Sequence, residues 1–161
     1  MIGNYLGTIS LCGMVAEMVA ILLFEICDFK LNNKSMNEHD QKSLFGSTFE
    51  KLGQDRRVQV LYAYSIINDE IKKSFDLIRN KRKKYLHLWS QDHRTLSKDA
   101  IEVYHATVSI VVRAIGQDIK EGKIALNPSL VKYLEKRGIV EQSEGLNKEK
   151  STNKSVKQSS E

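Results

Sequence analysis

Arg82 and His87 are the two residues whose types and spacing could carry a reaction. The segment around them, from about Asp69 to Trp89, reads as a helix with an apolar stripe through Ile71, Phe75, Ile78, Tyr85 or Leu86, and Trp89. The step between Ile78 and Tyr85 falls on Arg82, where the pattern asks for a core residue. A guanidinium keeps its charge and is costly to bury alone, so Arg82 either reaches outward or meets an anion. His87, five residues on, supplies an imidazole that exchanges protons near neutrality. The run Arg79-Asn80-Lys81-Arg82-Lys83-Lys84 holds five positive groups and no acidic one. Fixed positive charge beside a base of near-neutral pKa is suited to reactions at a phosphodiester.

The rest of the chain must position that helix, and its patterning is helical throughout. A first helix from about Asn4 to Phe29 is apolar nearly all round, as in a helix central to its bundle or covered on a second side by another chain. Residues 28–40 read as a polar loop, and 41–53 as a short helical piece with Ser47 and Glu50 in capping-box spacing. A second helix is expected over about Gln54–Ile67. Asn68, followed by Asp69 and Glu70, reads either as the cap of the third or as a kink in one long helix. Ser97 is expected to cap a fourth, running to about Glu121. Asn127-Pro128 opens a last short helix that stops at Gly138. Residues beyond Glu141 are Lys, Glu, Ser, Asn and Gln with almost nothing apolar, the composition of a disordered tail. The fold class expected is all-α: an up-and-down bundle of four to five helices over residues 1–139, with a polar tail over 140–161.

Composition narrows the setting. The 161 residues include a single proline and carry a formal net charge of +5, with a pI near 9.1, a balance that favours anionic partners. Cys12 and Cys27 on one continuous helix would stand roughly 22 Å apart, too far for a disulfide, and read as free thiols in a reducing cytoplasm. No Cys/His cluster has zinc spacing, so neither a structural metal nor a cofactor is expected. The apolar stretch Tyr5–Phe24 invites a membrane reading. No Lys or Arg precedes it, and Glu17 at its middle costs about 2.5–3.5 kcal/mol on insertion scales. A core helix, with no membrane partner, is the expectation.

In these residues the chain resembles the HEPN domain family, whose pattern is an Arg and a His separated by four to six residues late in a helix. The match is carried by Arg82 and His87, by the apolar first helix with its embedded Glu (Leu11-Cys12-Gly13-Met14-Val15-Ala16-Glu17), and by Asp76-Leu77-Ile78-Arg79-Asn80 leading to Tyr85-Leu86-His87. It covers about residues 6–117. The resemblance implies a bundle that pairs two-fold, with Arg and His of both protomers lining one cleft that cleaves RNA without metal. On that reading His87 activates the ribose 2′-hydroxyl and Arg82 stabilises the phosphorane-like transition state. Glu17, Arg79 and Asn80 support them. Lys81, Lys83 and Lys84 hold flanking phosphates. Lys83 stands where the family places a polar uncharged or acidic residue. Arg79 is the reserve arginine, although its spacing to His87 exceeds the pattern.

Two functions follow as expectations. One is a metal-independent endoribonuclease of bacterial toxin or phage-defence systems, with a possible antitoxin or other partner protein. The alternative is a non-catalytic HEPN-like module that binds a partner protein or nucleic acid. A homodimer is expected on either, because the first helix has more apolar surface than a lone bundle of this size needs.

Overall fold

The computed structural model describes residues 4–31, 33–87, 93–116, 118–120 and 123–139, of which 86, 87, 118–120, 123 and 124 are described by backbone alone. The fold is all-α, with six α-helices and two minimal hairpins among the described residues. Three long helices build the core. They are α1 (Tyr5–Ile26), α4 (Asp69–Arg82) and α5 (Leu96–Ile115). Ala16 and Ala20 of α1, Ile78 of α4 and Val103 and Ile110 of α5 are all buried in one core cluster, and α1 packs on both α4 and α5. α1 and α5 run side by side in the same direction, since their N-terminal ends share one cleft and their C-terminal ends another. α4 returns antiparallel between them, with Arg82 near the N-terminal half of α1 and Asn68 near the C-terminal ends. α3 (Gln54–Ala63) packs over the α1/α4 side, and α6 (Pro128–Lys136) packs on α1.

Local chemistry explains where these elements begin and end. Asn68 caps α4 as its sequence suggests, its side chain accepting from the Ile71 amide at 3.0 Å. Asn127 does the same for α6, accepting from Ser129. The capping box lies elsewhere than expected: Asn37 and Asp40 exchange side-chain and backbone bonds at the start of α2 (Glu38–Phe45). Ser47 and Glu50 do not form one. Phe49 is drawn into the core, and the chain there makes only a 3₁₀ turn, Phe49–Lys51.

Three expected spans are corrected. The polar loop of 28–40 contains a two-residue hairpin, β1 (Lys30–Leu31) on β2 (Lys34–Ser35). α3 stops at Ala63, not Ile67, because Ser65 turns left-handed (φ 57°) and swings Ile67 into the core. α5 stops at Ile115, not Glu121. Gly116 turns left-handed (φ 65°), and Asn127 packs its backbone within 2.9 Å of where a Cβ would stand. The chain then forms a hairpin, β3 (Asp118–Lys120) on β4 (Lys123–Ala125), with Ile119 opposite Ile124. Helical spacing of Ile119 with Ile115 hid that hairpin. The expected tail, 140–161, and Trp89 lie outside the described residues.

Candidate functional site

α4 leaves the α-helical pattern at Arg82. The next five residues, Lys83–His87, form a π turn. A π turn closes through i→i+5 hydrogen bonds, the separation between Arg82 and His87, so the backbones of these positions lie nearly one above the other. The His87 side chain lies outside the described residues.

Arg82 occupies the core-stripe position without being sealed in. Its side chain is 28% exposed, and Nη1 donates to Glu17 Oε1 on α1. It reaches Glu17 across Gly13, one helical turn earlier. A Cβ at Gly13 would stand 2.5 Å from Arg82 Cδ and 3.1 Å from Nε. The glycine is therefore the notch in which the arginine lies. Glu17 is shared: its second oxygen is 4.0 Å from Nη1 of Arg57, a buried arginine of α3. Arg57 is held by its own donations, from Nε to the Phe49 carbonyl and from Nη2 to that of Glu50.

These groups open on a cavity of 460 Å³ lined by Glu17, Gln54, Arg79, Arg82 and Lys83. Two donors of its lining residues, Arg82 Nε and Gln54 Nε2, are sealed from solvent and have no hydrogen-bond partner among the described residues. A buried donor left unmade costs about 1–3 kcal/mol. Arg79 stands at the rim, paired with Asp55 and with Asp76 at 3.3 Å. Lys83 is exposed and, among the described residues, has no ion pair. Positive charge thus exceeds negative among the residues lining the cavity.

The other expected residues go elsewhere. Asn80 is exposed and sits about 200° of helix round from Arg82, outside the cavity. Lys81 and Lys84 turn to α5, where they bind the buried Asp99 at 2.7 and 3.0 Å. Tyr85 donates to the same carboxylate at 2.6 Å, and Thr95 at 3.2 Å. Burial by itself would raise the Asp99 carboxyl, but hydrogen bonds from Lys81, Tyr85 and Lys84 prevail and hold it well below the ordinary carboxylate range. The Asp99 bond raises Lys81, and bonds with Tyr85 and Asp99 raise Lys84. Thr95, not Ser97, precedes α5, and its hydroxyl serves this network instead of capping the helix. Tyr85, expected in the apolar stripe of this helix, is buried.

Sequence reasoning missed three parts of the site: Arg57, Gln54 and the notch at Gly13. A glycine inside an apolar helix, four residues before its one central acid, was the available signal. Nothing in the local pattern around Gln54 and Arg57 marks them. Among the described residues, no three His, Cys, Asp or Glu side chains are grouped as a metal site would need. Comparison with family models, with curated proteins and with solved structures finds no match to this chain.

Proposed function

We propose that the protein is an RNA-directed helical module of HEPN type, and that it cleaves RNA without metal through Arg82 and His87. The observation that carries this reading is the state of Arg82. It is charged, fixed by Glu17 in the Gly13 notch, and placed at an open basic cavity. A preorganised guanidinium at a basic cavity suits the developing charge of a phosphorane. The π turn, which stacks positions 82 and 87, supports His87 as the base. Lys83 and Arg79 serve the adjoining phosphates. The setting is cytoplasmic, in the toxin or phage-defence biology that the resemblance implies.

Two observations favour the non-catalytic reading. Glu17 already neutralises much of the charge of Arg82, and Asp99 engages two of the three lysines expected to bind RNA. The discriminating experiment incubates the purified full chain with total RNA in EDTA, comparing wild type with Arg82→Ala and His87→Ala. Cleavage by wild type alone is the expected outcome. Equal cleavage by all three would end the nuclease reading, and RNA binding without cleavage by wild type would select the binding module.

A further inference from the structure

A second cavity, of 930 Å³, opens at the opposite end of α4 from Arg82. Its floor is apolar and drawn from four places in the chain: Leu23 of α1, Ile67 of the turn before α4, Ile71 of α4 and Ile110 of α5. All four are buried. Its walls carry one charge of each sign, Glu70 on α4 and Arg113 on α5, both exposed. Among the described residues neither has an ion pair, with the other or with any third group.

We infer that this cavity binds a short apolar peptide with both termini free, its carboxylate on Arg113 and its ammonium on Glu70. Charge is the first argument. The helix dipole accounts for the sign of each residue, since Glu70 stands in the first turn of α4 and Arg113 in the last turn of α5. It does not account for their sharing one apolar cavity unpaired, and a ligand that carries both charges meets both. Size is the second. The volume lies in the upper part of the range of about 300–1,000 Å³ that holds drug-sized molecules, more than a single amino acid fills. Hydrogen bonding is the third. The Ser109 hydroxyl and Asn68 Nδ2 belong to lining residues and have no hydrogen-bond partner among the described residues, so both can meet the peptide groups between the termini.

Other occupants fit less well. A fatty acid satisfies Arg113 but sets a like charge near Glu70 and offers nothing to Ser109 or Asn68. An alkylamine satisfies Glu70 and meets a like charge at Arg113. A nucleic-acid strand gains nothing from the apolar floor and is opposed by Glu70.

The inference does not rest on the proposed RNA chemistry. Ile71 and Arg82 stand eleven residues apart on α4, about 16 Å at 1.5 Å per residue, so the two cavities are separate. Cys27 lines the peptide cavity, half-buried, and burial pushes its thiol up, so it is uncharged at neutral pH and extends the apolar wall. A peptide seated there screens it, which makes Cys27 a local reporter; Cys12, the other thiol, is buried in the core.

The test is calorimetric titration of the full chain with trileucine, beside N-acetyl-trileucine, trileucine amide and decanoate. One trileucine per chain is expected, bound about 10-fold more tightly than either capped form or the fatty acid. Arg113→Met and Glu70→Gln, both at exposed positions, should each weaken trileucine by about 10-fold with helicity retained. Amidating the peptide should then cost nothing further in Arg113→Met, and acetylating it nothing further in Glu70→Gln. Bound trileucine should also slow the labelling of Cys27 by a water-soluble thiol reagent. Absence of binding to wild type at about 5 mM trileucine would overturn the inference. So would capped peptides or decanoate that bind as tightly as trileucine, since the cavity would then select only apolar bulk or a single charge. Binding that leaves the Cys27 rate unchanged, or that both folded variants retain in full, would place the peptide elsewhere and overturn it equally. None of these readouts depends on RNA cleavage.

Discussion

The basic segment that ends α4 has two sides, and they behave in opposite ways. Lys81, Lys84 and Tyr85 converge on Asp99, whose side chain is 6% exposed, and Glu102 takes a second bond from Lys81 at 3.3 Å. Two lysines face two carboxylates, and every strong donor on that side has an acceptor. On the other side Arg82 and Arg57 share Glu17, which is 36% exposed, and Lys83 has no ion pair among the described residues. Helical periodicity sorts the run. Positions 81, 84 and 85 fall on one face and 79, 82 and 83 on another. One face rivets α4 to α5, and the other leaves a positive cavity available to an anion.

Removing the rivet should have the largest effect. Asp99→Ala strands two ammonium groups and a buried hydroxyl, and should cost about 3 kcal/mol of stability while leaving RNA binding unchanged once folded. Urea denaturation measures the first and a filter-binding assay the second. A stability loss below about 1 kcal/mol would mean that the Asp99 network contributes no more than a surface ion pair.

The same node fixes a pH dependence. Because the folded Asp99 carboxyl is held below its ordinary value of about 3.9, its contribution is complete above about pH 4 and is lost as pH falls toward the folded value. Lys81 is raised above its ordinary value of about 10.4, so its share is complete below that pH and is lost as pH rises through the folded value. The stability gap between wild type and Asp99→Ala should therefore be flat between about pH 5 and pH 10 and shrink on both flanks. Urea melts of both proteins at pH 3, 5, 7 and 9 check the acid flank and the plateau, and a gap that widens in acid would contradict this account.

A smaller effect separates the two sides through salt. If Lys83 meets a phosphate, Lys83→Met should reduce the slope of log affinity against log salt by about 1, for RNA of any sequence. Lys81→Met should leave that slope alone and lower stability instead, by about 1 kcal/mol. Equal slopes for the two variants would erase the distinction between the faces.

How much of this was legible in the sequence follows from the range of each interaction. The helical fold, the cap at Asn68 and the start of α6 at Asn127 depend on residues within four positions of one another, and periodicity displays them. Arg82 stood out because it broke its own stripe. The division of the lysines did not, because Asp99 lies 18 residues from Lys81 and becomes its partner only after α4 and α5 dock. Glu17 was visible as an acid at the middle of an apolar helix, but its bond to Arg82 spans 65 residues. The ends of α3 and α5 were lost for another reason: Ile67 and Ile119 keep helical spacing with the residues before them, while a left-handed Ser65 and Gly116 turn the chain away.

The subtlest test concerns Gly13, where stability and site geometry should part. In the middle of a helix Gly→Ala ordinarily stabilises by up to about 1 kcal/mol. Here the new methyl would stand 2.5 Å from Arg82 Cδ, within a contact that real side chains do not make, so the arginine must leave the notch. It can, because it is long and already 28% exposed, and its departure releases Glu17 to Arg57 nearby. The two terms nearly cancel, and Gly13→Ala should melt within about 1 kcal/mol of wild type. RNA cleavage or binding should nevertheless fall toward the level of Arg82→Ala, since the guanidinium is no longer fixed at the cavity. A variant as stable and as active as wild type would show that Arg82 works without the notch, and the contrast between a closed and an open face of α4 would then lose its functional half.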